Sequence, residues 1–140
     1  METTSGMSGG CSCGAVRYVV KADPILMLNC HCRDCQRASG SAYGAAIGVP
    51  RSAVKITGDV KYYESKADSG NMARRAFCPN CGSRLFSFPP FAPDLMVIMA
   101  TSLDDPSIFK PGMDIYTSSA QPWDHMDAAL PKFPKMPPMG

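Results

Sequence analysis

The chain has 140 residues, 45% of them hydrophobic, which suits one globular domain with a modest core and excludes a disordered polymer. Its formal charge is +2, from 14 basic and 12 acidic residues with no run of Lys or Arg, so it lacks the electrostatic footprint of a nucleic-acid binder. The longest apolar run, residues 95–100, is far short of the roughly 20 residues needed to cross a bilayer, so no membrane partner is expected.

Thirteen prolines and twelve glycines predict short elements and many turns: a mainly β fold of small antiparallel sheets, with few short helices. Residues 1–9 are small and polar, without a charged stretch leading into an apolar one. They are expected to be flexible, and the protein to be cytoplasmic with reduced thiols, in keeping with an odd count of seven cysteines. GCSCGAVRYVV reads as a cysteine-bearing turn feeding a first strand over 15–20. Asp23–Pro24 marks a bend, and ILMLNC carries the chain into a second cysteine group. ASGSAYGAAIGVP reads as a loop entering a strand over 42–49. Residues 53–57 and 61–64 read as a hairpin about Gly58–Asp59. Residues 73–77 lead into the turn CPNCG, and further strands are predicted over 84–88 and 95–99. Residues 10–133 form a single domain in this reading, and 134–140 a proline-rich tail that drapes over the surface or frays.

The cysteines fall into three groups: Cys11-x-Cys13, Cys30-x-Cys32-x-x-Cys35 and Cys78-x-x-Cys81. Thiolates two residues apart can reach one Zn²⁺ when the backbone turns. In CPNCG, Pro79 and Gly82 supply that turn. A C-x-C pair also chelates readily, whereas a disulfide across one residue is strained. Cys11 and Cys13 with Cys78 and Cys81 make a closed four-sulfur site, which ties the start of the chain to a point more than sixty residues later. The remaining trio, Cys30, Cys32 and Cys35, has no obvious fourth ligand. Three protein ligands and an open position are the arrangement of a catalytic zinc. His31 is an alternative fourth ligand, although adjacent residues on an extended segment point to opposite sides.

GCSCGAVRY, NCHCRDCQRASGSAYG and RAFCPNCGSRLF, in that order, resemble the glutathione-dependent formaldehyde-activating family, whose broader members include centromere protein V. IYTSSAQPWDHMDAALPKF also resembles the family's C-terminal pattern. The resemblance implies an all-β, zinc-centred fold similar to the helper proteins of guanine nucleotide exchange. It implies two zinc ions, a structural one on Cys11, Cys13, Cys78 and Cys81 and a catalytic one on Cys30, Cys32 and Cys35. It also implies condensation of formaldehyde with glutathione, formally a carbon–sulfur lyase run in reverse.

On this reading a thiol such as glutathione is held as thiolate beside an aldehyde, gaining chiefly from positioning. His31 or Asp34 is the nearest candidate for the acid that quenches the alkoxide, or a hydrogen-bond partner of the ligands. Arg33 and Arg37 are candidates to pair with a substrate carboxylate. Ser39 and Gly40 would allow a ligand close to the backbone. Trp123, Tyr62, Tyr63 and Phe91 are read as core, and His125 as solvent-facing. Two other classes stay open: a zinc-stabilised binding module without catalysis, and thiol redox sensing by the trio. The oligomeric state is not legible.

Overall fold

The computed structural model describes residues 6–67 and 69–137 and is mainly β. Three strands, β1 (Met7–Gly10), β2 (Arg17–Val20) and β5 (Val54–Thr57), form one antiparallel sheet in the order β1-β2-β5. A seven-stranded sheet takes the rest: β3 (Leu26–Cys30), β4 (Gly44–Pro50), β6 (Lys61–Lys66), β7 (Met72–Phe77), β8 (Arg84–Phe88), β9 (Leu95–Met99) and β10 (Asp114–Ile115). Its order is β10-β3-β4-β9-β8-β7-β6. Every pairing is antiparallel except β10 on β3, which is parallel. The one α-helix, α1 (Arg33–Ser39), joins β3 to β4.

Side-chain alternation decides which face of each strand is buried. On β2, Tyr18 and Val20 point inward while Arg17 and Val19 face solvent; on β9, Met96 and Ile98 are the buried pair. Ile47, Ile98 and Phe86 follow one another across β4, β9 and β8 in register and are fully buried. They belong to the same core as Tyr18 and Val20 of the smaller sheet. Tyr18 meets Phe86 edge-on, centroids 5.1 Å apart, and its hydroxyl lies 2.6 Å from that of Ser102. Burying one such side chain contributes about 1.5–3 kcal/mol. A second, smaller cluster of Leu28, Ala46 and Ile115 is covered by Phe133 and Met136 from the C-terminal segment.

Several expectations need correction. The predicted hairpin about Gly58–Asp59 does not form: β5 pairs with β2 and β6 with β7, so this turn passes the chain from one sheet to the other. A turn between two short strands is a local signal, whereas which strand each one pairs with depends on residues far along the chain, which is why local pattern misplaced it. α1 runs through the second cysteine group into the first two residues of the predicted loop, and it is short enough to carry no helical periodicity. Four aromatics read as core are exposed: Trp123 at 62%, Tyr63 at 63%, Phe91 at 54% and Tyr62 at 42%. β1 begins at Met7, inside the segment expected to be flexible; residues 1–5 lie outside the described residues. The tail drapes as far as it is described: Tyr116 and Ser118 donate backbone N–H groups to the carbonyls of Lys135 and Pro134. Residues 138–140 lie outside the described residues.

Candidate metal centres

Two turns build the first cysteine group. Between β1 and β2, Cys11 N–H donates to the Val16 carbonyl and Gly14 N–H returns to Cys11. After β7, Cys78 N–H donates to the Ser83 carbonyl and Gly82 N–H returns to Cys78. Gly14 and Gly82 take φ of 81° and 80°, the left-handed region glycine occupies without strain. The four sulfurs of Cys11, Cys13, Cys78 and Cys81 lie within 4.8 Å of one another. Cys11 Sγ is 3.6 Å from Cys13 Sγ, which is 3.8 Å from Cys78 Sγ. Four thiolates each about 2.3 Å from a central ion stand about 3.8 Å apart at tetrahedral corners, so the group fits a metal such as zinc.

Hydrogen bonds reach three of the four sulfurs from neighbouring amides. Val16 N–H donates to Cys11 Sγ, Asn80 N–H to Cys78 Sγ, and the Asn80 side-chain amide to Cys13 Sγ. The Ser83 hydroxyl and then its backbone N–H draw the Cys81 pKa down to about 5. Ser12 N–H donates to the same Ser83 hydroxyl at 3.0 Å, tying the two turns together.

The second group forms where β3 gives way to α1. Cys30 ends the strand, Cys32 is the helix N-cap, and Cys35 sits one turn further on. Cys32 Sγ accepts the Cys35 N–H at 3.2 Å, the bond a Ser or Asp would make at such a position. The three sulfurs lie within 4.8 Å of one another, and among the described residues no fourth His, Cys, Asp or Glu joins them. Hydrogen bonds from Cys30 and then Cys35 push the Cys32 thiol down to about 2, with Arg75 adding to the effect, while Cys30 is pushed up.

His31 does not complete this group. Its ring is buried at 1% exposure, turned away between two aspartates: Nε2 is 2.9 Å from Asp114 Oδ1 and Nδ1 is 2.7 Å from Asp124 Oδ2. The expectation that it faces away from its cysteine neighbours holds, whereas a role as acid at the trio does not fit this geometry. Asn29 donates to Asp114 as well, and Lys132 Nζ lies 3.4 Å from it. Gln36 bonds the carbonyls of both His31 and Ser119, and Gln121 donates back to Gln36. The cysteine segment is therefore clamped to the C-terminal segment. Asp114, Asp124 and Gln36 were missed from sequence because the chain brings them to His31 only on folding. His125 faces solvent as expected.

Two cavities flank α1. The smaller, about 240 Å³, is lined by Arg33, Gln36, Arg37, Gly40, Ser41 and Trp123. The larger, about 310 Å³, is lined by Asp34, Arg37, Ala38, Tyr63, Ser65, Arg75 and Arg84. Of the expected substrate contacts, Arg33, Arg37 and Gly40 thus line a cavity, and so does the candidate acid Asp34. Ser39 lines neither and spends its hydroxyl on the Tyr43 carbonyl at 3.0 Å. Arg75 and Arg84 were missed, although alternation along β7 carried a signal. Arg74 turns to one face, its guanidinium 3.9 Å from the Tyr62 ring centre, and Arg75 to the other.

The sequence pattern that defines the glutathione-dependent formaldehyde-activating enzymes matches residues 6–119. The chain belongs to this family. A Halomonas elongata protein given the same formaldehyde-activating name is 30% identical over 103 residues, 70% of this chain and 66% of that one. The match therefore spans slightly less than two thirds of that relative. A Rhodobacter sphaeroides protein of known crystal structure shares the fold, with TM-score 0.58 and 18% identity over 91% of this chain and 99% of that one. Among the described residues of this family member, no helix is long and apolar enough to cross a membrane.

Proposed function

We propose that this member of the formaldehyde-activating family joins a thiol to an aldehyde, with glutathione and formaldehyde as the reference pair, and holds two zinc ions per chain. In that reaction the sulfur forms a bond to the carbonyl carbon, the C=O π bond opens, and the oxygen takes a proton. Run backwards, it is a carbon–sulfur lyase step. Cys11, Cys13, Cys78 and Cys81 would hold one ion as a closed structural site. Cys30, Cys32 and Cys35 would hold the other. The chemistry a zinc ion would supply on those three sulfurs is a Lewis-acidic position for a substrate thiol, lowering the thiol's pKa.

The observation that carries the reading is the trio's incompleteness: three sulfurs converge, and the ionisable residue between them is pinned elsewhere by two buried aspartates. The chain's other residues orient the reactants. α1 ties Cys35 to Cys32 by the bond from the Cys35 N–H to Cys32 Sγ, and Gln36 locks the helix to the C-terminal segment. Asp34 lines the larger cavity and is placed to hold a proton or a water there. Arg37 lines both cavities and can meet a carboxylate.

The test uses protein loaded with two zinc ions, formaldehyde and a panel of thiols, followed against the spontaneous rate. Acceleration with at least one thiol, lost in Cys35→Ser, is the expected result. No acceleration with any thiol at full metal content would overturn the proposal.

A further inference from the structure

The larger cavity is electrostatically one-sided. Arg37 reaches it from α1, Arg75 from β7 and Arg84 from β8, and the one carboxylate on its wall is that of Asp34. Among the described residues none of the three guanidiniums makes an ion pair. Arg75 donates only to the Ser65 hydroxyl, at 3.2 Å, and Arg84 only to the Ala38 carbonyl, at 3.2 Å. Arg84 is half-buried, and its Nε is fully buried without a hydrogen-bond partner. Gathering guanidiniums in a partly enclosed space without counter-ions is unfavourable unless an anion is supplied from outside. The like charge of Arg75 helps to hold the Arg84 pKa down, after burial itself, so the two arginines act on one another.

The cavity also neighbours the trio: Asp34 and Arg37 on its wall stand within two residues of Cys35 on α1, and Arg84 donates to the Ala38 carbonyl of the same helix. No cysteine lines the cavity itself. An anion resting there is therefore offset from the sulfurs, against Asp34, Arg37 and Ala38 of α1.

We propose that Arg75 and Arg84, with Arg37, form the carboxylate-reading end of the substrate site, selecting an extended thiol whose carboxylate is remote from its sulfur. The inference rests on the reading of the trio as a thiol site and deepens it. Arg75 and Arg84 come from adjacent strands of the rigid sheet, so their guanidiniums are held ready for a planar bidentate anion. A short neutral thiol would leave the arginines unanswered.

The test measures binding rather than turnover. S-methylglutathione keeps both carboxylates but has no thiol to ionise, so its affinity for the zinc-loaded protein, by calorimetry, reports the remote contact alone. Its dimethyl ester removes the carboxylate charge. The expected result is that wild type binds the free acid at least about tenfold more tightly than the ester, as loss of a charge-assisted bond implies. Arg75→Ala should bring the two to within about twofold. Raising the salt concentration should weaken binding of the acid and leave the ester unaffected. Equal affinities for acid and ester in wild type, a preference that survives Arg75→Ala, or no binding of the acid at millimolar concentration would each overturn the inference. Discrimination without any acceleration of thiol addition would instead spare the anion pocket and sink the catalytic reading.

Discussion

His31→Ala is the most informative single change, because it probes the clamp behind the cysteine trio without touching a ligand. In the native fold its ring sits between two carboxylates that are almost wholly buried, Asp114 at 1% and Asp124 at 3% side-chain exposure. Asp114 keeps Asn29 at 3.3 Å and Lys132 at 3.4 Å after the change. Asp124 Oδ2 loses its ion-pair partner, 2.7 Å away, and has no hydrogen bond to replace it. Removing one member of a buried polar or ionic network costs about 3–5 kcal/mol, and a chain of this size loses about 4 °C in Tm per kcal/mol. The expected fall is therefore about 12–20 °C. Urea unfolding of the metal-loaded protein, with metal content measured alongside, is the assay. Asp124→Asn alone should cost only about 1–2 kcal/mol, and placed on His31→Ala it should recover about 1 kcal/mol by removing the stranded charge. Additive effects, or a cost below about 1 kcal/mol for His31→Ala, would show that the three residues do not act as a unit.

Three further outcomes are expected. Cys81→Ser should lose one metal per chain and more than about 10 °C of Tm, since a structural ion contributes directly to folding; Cys35→Ser should lose the other metal at a cost below about 4 °C, both read by metal analysis and thermal unfolding. Gly58→Ala should destabilise by at least about 2 kcal/mol in urea. Its φ is 97° and the new Cβ would stand 2.1 Å from the Ala15 carbonyl oxygen, backbone that cannot swing aside. The Tyr18 phenol is pushed up to about 12 by burial among the core residues. Its raised value keeps the native state protonated where the unfolded chain ionises, so its contribution is complete below pH 10 and is lost as pH rises toward 12. That window is worth up to about 3 kcal/mol at 1.4 kcal/mol per pH unit, and should appear both in stability against pH and as one tyrosine whose ultraviolet titration lags the others.

The strands over 84–88 and 95–99 were legible to the residue, and 73–77 nearly so, because each has a clear composition and a turn at its end. The cysteine groups were equally plain: ligand spacing is a local property, and a C-x-x-C turn has few other uses. Pairing was another matter. β5 and β6 are neighbours in the chain and belong to different sheets, and β10 joins β3 across more than eighty residues. The exposed Trp123, Tyr63 and Phe91 likewise show that residue type sets a preference for burial without naming the surface that provides it.

By itself, then, the chain's sequence determined which sulfurs group together and that one group has four and the other three. Chelation depends on separation along the backbone. What His31 does, and which arginines gather beside α1, was decided only by the tertiary structure. Asp114 and Asp124 arrive from more than eighty residues away, and Arg75 and Arg84 share a cavity with Arg37 because two strands happen to run beside α1. Charges act through space, and the distances that set their strength exist only once the sheets have closed.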